Sequence, residues 1–333
     1  MKQRRTVPDG SLLQKLRRGL LPFSLQHKPE TPDDDLNYYL DAYDINFQDE
    51  FAAVFYTGGY LQTEQHRIFC QLWQQERHQE GPHKNNKGTV FILHGYYDHT
   101  GLYGHLIRFF LQQGYSVFAF DEPGHGLSDG TPASIDNFST YTSIVRTCMD
   151  WALENDLPQP FHLAGQSMGG AIITELLVGE KCSRQEYPID KVILFAPLIR
   201  PAGWRWGKIR YQLAGRFLKQ IPRSRSRNSN DNDFLTFLQT EPLQNKTLSM
   251  AWVGALSQWI DKIEAVTEPC EYDVLIVQGE RDGTVDWQHN MSVYPRLYKS
   301  ADIYLIPDGQ HHLVNEHEDI RQQYFGWLTE KLG

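Results

Sequence analysis

Cysteine is scarce in this 333-residue chain, and the little there is has no pattern. Cys70, Cys148, Cys182 and Cys270 stand far apart, with no C-x-x-C pair and no metal-ligand spacing. That reads as four reduced thiols in a cytosolic protein rather than a disulfide framework. No apolar run approaches the roughly 20 residues that cross a bilayer. The basic start leads into no apolar stretch and no small-residue cleavage site, which argues against secretory export. H-E-x-x-H and a Walker loop are both missing, and Gly124-His125-Gly126 lacks the third glycine of a dinucleotide fingerprint. No metal and no cofactor are therefore expected.

The net charge of −9 conceals a segregation. Residues 1–28 carry seven Lys/Arg against Asp9 alone, residues 29–50 carry eight acids and no base, and residues 200–227 carry nine bases and no acid. An acidic protein with such local patches is not a general nucleic-acid binder, and no obligate protein partner is implied. Leu12, Leu13, Leu16, Leu20 and Leu21 recur at helical spacing beside Lys15, Arg17 and Arg18. This predicts a short basic helix that either lies on an anionic membrane surface or packs on the body. The segments 1–28 and 200–227 are the candidates for peripheral membrane contact.

Strand-like and helix-like runs alternate along most of the chain. After an acidic loop come strands at 51–56 and 67–73, then 89–93, 115–120, 161–164 and 191–197, with helices at 102–112 and 141–155. The alternation predicts an α/β fold with a mostly parallel central sheet and helices on both faces. Between Leu198 and Pro269 the rhythm breaks into aromatic and basic residues at helical spacing; it resumes at 274–277 and 303–306 and ends in a helix over 316–332. The expected division is an N-terminal extension (1–50), a core in two parts (51–197 and 270–333), and a helical cap (198–269) over the carboxyl ends of the strands.

One motif is rich in chemistry. Phe161-His162-Leu163-Ala164 runs into Gly165-Gln166-Ser167-Met168-Gly169-Gly170 and then a helical stretch. This is G-x-S-x-G between strand and helix, the setting in which the motif holds a serine clear of the backbone. A serine hydroxyl needs a base, and the base needs an orienting group. In hydrolases with this elbow the acid and then the histidine follow the serine. Asp282 comes just after a downstream strand and is favoured, with Asp286 as rival; His311 is favoured over His312 in the loop before the last helix. The oxyanion hole would use the N–H of Met168 and the N–H of Tyr96, in His94-Gly95-Tyr96-Tyr97-Asp98-His99.

Together with Asp121, Gly124-His125-Gly126-Leu127-Ser128-Asp129-Gly130 and Gly279-Glu280-Arg281-Asp282, these motifs make residues 88–333 resemble the monoacylglycerol lipase and lysophospholipase branch of the α/β-hydrolases. The resemblance implies Ser167, Asp282 and His311 as a catalytic triad. The chain departs from its pattern where members often carry Glu: at Asp98, and at His312 after the catalytic histidine. Glu122-Pro123 also replaces a commoner basic pair.

In the cap, Trp204, Trp206, Tyr211, Phe217 and Leu218 interleave with Arg205, Lys208, Arg210, Arg216 and Lys219. Such a surface would hold an acyl chain while its cations meet a phosphate head group. His94, Trp204, Arg205, Trp206 and Arg210 are accordingly the expected substrate contacts, and the expected activity is lysophospholipase-like. Monoacylglycerol lipase or general carboxylesterase activity is the alternative. An aminopeptidase of the same fold and a non-catalytic binding protein stand further back.

Overall fold

The computed structural model describes residues 7–25, 34–48, 50–51, 54–75, 86–214, 218–224 and 227–333. In chain order its elements begin with α1 (Gly10–Gly19), α2 (Asp34–Ala42), β1 (Val54–Gln62), β2 (Arg67–Gln75) and β3 (Thr89–Leu93). Then come α3 (Gly104–Gln112), β4 (Ser116–Phe120), α4 (Ser139–Glu154), β5 (Phe161–Gln166), α5 (Met168–Thr174) and β6 (Ile189–Phe195). The inserted region holds α6 (Trp204–Ala214), β7 (Gln220–Pro222), α7 (Asn232–Thr240), β8 (Thr247–Ser249) and α8 (Met250–Glu264). The chain closes with β9 (Cys270–Gly279), α9 (Trp287–Leu297), β10 (Tyr298–Ile306) and α10 (Glu318–Leu332).

Strands such as Thr89–Leu93 and Ser116–Phe120 are buried at every residue, the pattern of a parallel sheet covered on both faces. They sit in an eight-stranded sheet of order β1-β2-β4-β3-β5-β6-β9-β10, antiparallel through β1, β2 and β4 and parallel from there on. Alternate side chains feed two cores. Phe91, Leu93, Phe118 and Leu163 face α4, α5, α8 and α9, whereas Val90, Ile92, Val117 and Ala164 face α1, α2, α3 and α10.

Several elements differ from expectation, each for a local reason. The acidic segment contains α2, whose Asp34 and Asp35 sit at the helix N-terminus, where negative charge is favourable, and whose Tyr39 and Leu40 are buried. Among the described residues of this segment, Leu13, Leu16, Tyr43, Ile45 and Phe47 belong to one of the two cores. The apolar face of α1 is packed inward, and Arg17 donates to the Gly126 carbonyl. That face is therefore not presented to a bilayer. Strand β1 starts later than its apolar run suggests and includes Gly58-Gly59, ordinarily a breaker. A Cβ on Gly59 would lie 2.7 Å from the Leu21 carbonyl oxygen, where the segment around Pro22 crosses and pairs with Tyr60. That crossing covers the sheet edge. Helix α9 has no counterpart in the expected elements; it carries Pro295 internally.

The inserted region is not purely helical, since β7 and β8 form a short antiparallel ribbon too brief to leave a periodic signal. It is tied to the N-terminal segment: the Tyr43 hydroxyl donates to Glu241 Oε1 at 2.8 Å, and His99 Nε2 lies 3.4 Å from the same oxygen.

At the end of β5 the chain turns sharply, with Ser167 at φ 53°, ψ −110°. A Cβ on Gly165 would lie 2.5 Å from the Gly169 carbonyl carbon, and one on Gly169 would strike the Leu93 carbonyl of β3. Gly169→Ala is therefore expected to cost about 2–4 kcal/mol, read as a lower urea midpoint with unchanged slope. Gly326→Ala, on the exposed side of α10 with nothing near its Cβ position, should stabilise by about 0.5–1 kcal/mol in the same measurement.

Candidate active site

The elbow lifts Ser167 from the end of β5, and two later loops bring the other groups to it. His311, in the loop after β10, places Nε2 3.0 Å from Ser167 Oγ and Nδ1 2.7 Å from Asp282 Oδ2. Asp282 is fixed in turn: Oδ1 accepts from the N–H groups of Thr284 at 2.8 Å and Val285 at 3.1 Å, and Oδ2 accepts from Gln278 Nε2 at 3.2 Å. Burial pushes the Asp282 carboxyl up, but the His311 interaction and the two backbone donors together bring it below its ordinary value. The rival acid has another task. Asp286 caps α9, its side chain accepting from His289 N–H. Gln166 Nε2 donates to the His311 carbonyl at 2.9 Å, joining the histidine loop to the elbow.

Met168 opens α5, where the first N–H groups have no partner within the helix. The Gly95–Tyr96 loop runs alongside, a Cβ position on Gly95 being 3.5 Å from Ser167 Cβ. The loop is braced. Tyr96 stacks on Trp252 of the cap at 3.9 Å, and its hydroxyl donates to the Ala133 carbonyl at 2.6 Å. Ser167, His311, Gly95 and Tyr96 open into a cavity of about 770 Å³ whose apolar lining includes Leu198, Trp204, Leu238, Leu248, Val253 and Leu256.

A sequence profile of the family described as serine aminopeptidase, S33, matches residues 84–318. The chain belongs to this family. Its relatives place it in the monoacylglycerol lipase branch of the α/β-hydrolases. It is 34% identical over 271 residues to the monoacylglycerol lipase of Mycolicibacterium smegmatis, covering 75% of this chain and 91% of that one. It is 26% identical over 261 residues to human monoglyceride lipase, covering 75% and 80%. Among solved structures, a soluble variant of monoglyceride lipase from Saccharomyces cerevisiae in complex with a substrate analog superposes with a TM-score of 0.68. That pair is 18% identical, covering 82% of this chain and 93% of that one. The monoacylglycerol lipase of Paleococcus ferrophilus gives 0.64 at 19% identity, covering 74% and 94%. These likenesses carry the α/β-hydrolase fold.

Within this α/β-hydrolase the expected substrate contacts separate. Trp204 lines the cavity and is buried. Its helix brings Trp204, Gly207 and Tyr211 to the same wall, which turns Arg205 and Trp206 outward; Trp206 is 72% exposed. The Arg210 side chain, with Phe217 and Arg216, lies outside the described residues. His94 is a brace rather than a contact. Its Nε2 accepts from the Glu122 N–H at 2.8 Å, so Nδ1 carries the proton and donates to the Gly95 carbonyl at 2.8 Å. Burial holds it neutral, with its pKa down at about 3.

What sequence reasoning missed is a polar wall. Arg223, read in the sequence only as part of the basic segment 200–227, lines the cavity with Tyr97, Asn228 and Gln244. The two positions where Glu is usual also prove to face each other, His312 Nε2 lying 3.0 Å from Asp98 Oδ2. The Tyr103 hydroxyl donates to the same oxygen at 3.1 Å and accepts from the Gly95 N–H at 2.7 Å. A change at either position is legible in sequence; that they form one contact is not.

Burial alone would raise the Asp98 carboxyl, but the facing His312, with smaller help from His94 and Arg223, pulls it down to about 2. A depressed carboxyl contributes stability that is present above its unfolded value, 3.8, and lost as pH falls through the folded one. In urea titrations, Asp98→Asn should therefore be less stable than wild type at pH 7 by roughly 2 kcal/mol. The gap should close between about pH 4 and pH 2.

Proposed function

We propose that the protein is a serine carboxylic-ester hydrolase acting on lipids with a single acyl chain, lysophospholipase-like, through Ser167, His311 and Asp282. The observation that carries this reading is the hydrogen-bonded series Ser167 Oγ–His311 Nε2, 3.0 Å, and His311 Nδ1–Asp282 Oδ2, 2.7 Å, opening into a cavity with many apolar lining residues. The volume, about 770 Å³, lies within the range of small-molecule sites.

In this reading His311 takes the Ser167 proton as Oγ attacks the ester carbonyl. The N–H groups of Met168 and Tyr96 receive the developing oxyanion. Asp282 keeps the proton of His311 on Nδ1 and stabilises the imidazolium that forms. His311 then gives its Nε2 proton to the leaving alcohol, and the serine ester remains. Water, deprotonated by the same histidine, attacks that ester and releases the fatty acid and free Ser167. The alcohol half distinguishes a lysophospholipid from a monoacylglycerol, and cationic Arg223 and Arg227 in the cavity lining favour the former. The names of the lipase relatives keep monoacylglycerol as the second reading. An aminopeptidase would need a carboxylate for the substrate ammonium. Among the described lining residues the carboxylate is Asp98, which is already paired with His312.

The outer face of the cap supports peripheral contact with an anionic bilayer. Trp206, Ile209 and Leu218 are exposed there, beside exposed Arg205 and Lys219. No helix among the described residues is long and apolar enough to cross one.

A fluorophosphonate probe should label the wild type and not Ser167→Ala, whose turnover should fall by about 10³-fold or more. Mass spectrometry of a mixed lipid extract should show single-chain esters consumed by the wild type alone. Labelling and turnover that persist in Ser167→Ala would defeat the proposal, and cleavage of aminoacyl amides in preference to esters would move it to peptidase chemistry.

A further inference from the structure

The nine bases of residues 200–227 do not share one role. Arg200 pairs with Glu264 at 2.5 Å and Lys208 with Asp261 at 2.8 Å, while Arg205 is exposed on the outer side of α6. Arg223 differs from these because it is built into the cavity wall. Its backbone N–H donates to the Lys246 carbonyl at 2.9 Å, where the β7–β8 ribbon ends. Its guanidinium lies over the Tyr97 ring at 4.0 Å, and Nη1 donates to Gln244 Oε1 at 2.8 Å. Tyr97 itself is held at φ 74°, an uncommon conformation for a tyrosine, in the Gly95–Asp98 loop that passes Ser167. Stacking and a fixed hydrogen bond orient the planar guanidinium, which is how arginine recognises a phosphate with little loss of side-chain freedom.

Gln244 turns its amide nitrogen to Asp98 Oδ1 at 3.5 Å, and His312 Nε2 lies 3.0 Å from Asp98 Oδ2. Arg227, further along the wall beside Asn228, adds a second cation. The same cavity is also lined by Leu198, Trp204, Leu248, Val253 and Leu256. A substrate with its ester at Ser167 would lay an alkyl chain against these apolar residues and bring an anion to Arg223. We propose that Arg223, stacked on Tyr97 and hydrogen-bonded to Gln244, is the subsite for a phosphodiester in the alcohol half of the substrate. It selects single-chain phospholipids over neutral monoacylglycerols. The proposal rests on ester hydrolysis at Ser167 and adds the residue that sets its specificity.

The test compares kcat/KM for lysophosphatidylglycerol and monoacylglycerol of the same acyl chain in wild type, Arg223→Gln, Arg223→Lys and Arg205→Gln. Arg223→Gln should lower the lysophospholipid-to-monoacylglycerol ratio by about 10- to 100-fold, chiefly through KM. Arg223→Lys should recover part of that ratio, since it keeps the charge but not the fork, and Arg205→Gln should keep the wild-type ratio. Glycerol 3-phosphate, the probe for free phosphate, should compete with lysophospholipid in the wild type and lose that effect in Arg223→Gln. Binding to phosphatidylglycerol vesicles, measured on a Ser167→Ala background, should be the same with and without Arg223.

An unchanged ratio in Arg223→Gln would overturn the proposal while leaving ester hydrolysis intact. So would an equal fall on both substrates, which would mark Arg223 as a structural support, or a parallel loss of vesicle binding, which would mark it as a membrane contact. A wild type that hydrolyses neither ester would instead strike the reading of Ser167, and this proposal with it.

Discussion

The structure depends on one close backbone approach, that of Gly169 at the start of α5 to the Leu93 carbonyl at the end of β3. Because no side chain intervenes there, α5 can begin immediately beside the sheet, and the chain must reverse within the single residue Ser167. Its left-handed backbone costs on the order of 1–3 kcal/mol and persists because both neighbours hold it. Ser167 N–H donates to the Phe195 carbonyl of β6 at 2.9 Å, and the Ser167 carbonyl accepts from Leu198 N–H at 3.1 Å. The same pinning continues across the sheet. Ala196 bonds to Val277 on β9, and β9 leads through Gly279 to Asp282. The relative positions of serine and acid are thus set by the hydrogen-bond register of adjacent strands rather than by loop flexibility.

Above this floor the cavity is lined by residues of both polarities, Leu198 and Trp204 among the apolar and Arg223 and Gln244 among the polar. Both carboxylates near Ser167 meet an imidazole, Asp282 that of His311 and Asp98 that of His312. A buried carboxylate without partners would be costly, and these contacts, with the hydrogen bonds from Gln278, Thr284, Val285 and Tyr103, offset that cost while keeping each group fixed. The Asp98 pair also joins three parts of the molecule. Through Tyr103 it steadies the Gly95 loop, through His312 it meets the histidine loop, and through Gln244 it reaches the cap.

Much of this was legible in the sequence where physics acts locally. Apolar runs such as Val90-Phe91-Ile92-Leu93 announce parallel strands because both sheet faces are covered, and glycines around Ser167 announce the elbow because only they fit. The order of serine, acid and histidine then located Asp282 and His311. Legibility ended where contacts join distant segments. Helix α2 was hidden by its acids, Gly58-Gly59 looked like a break until the crossing at Pro22 explained them, and β7 and β8 are three residues each. Arg205 and Arg223 have the same chemistry in sequence, and only the rotation of α6 and the ribbon decide which one reaches the cavity. Asp98 and His312 were each visible as departures, 214 residues apart, and only the fold makes them a pair.

The most direct measurement of the central claim is to trap the covalent intermediate. Wild-type protein mixed with lysophosphatidylglycerol of defined chain, quenched in acid within the first turnover and digested, should yield one peptide heavier by that acyl group, with the modification on Ser167. Turnover with no acylated peptide, or with the acyl group on another residue, would contradict the account.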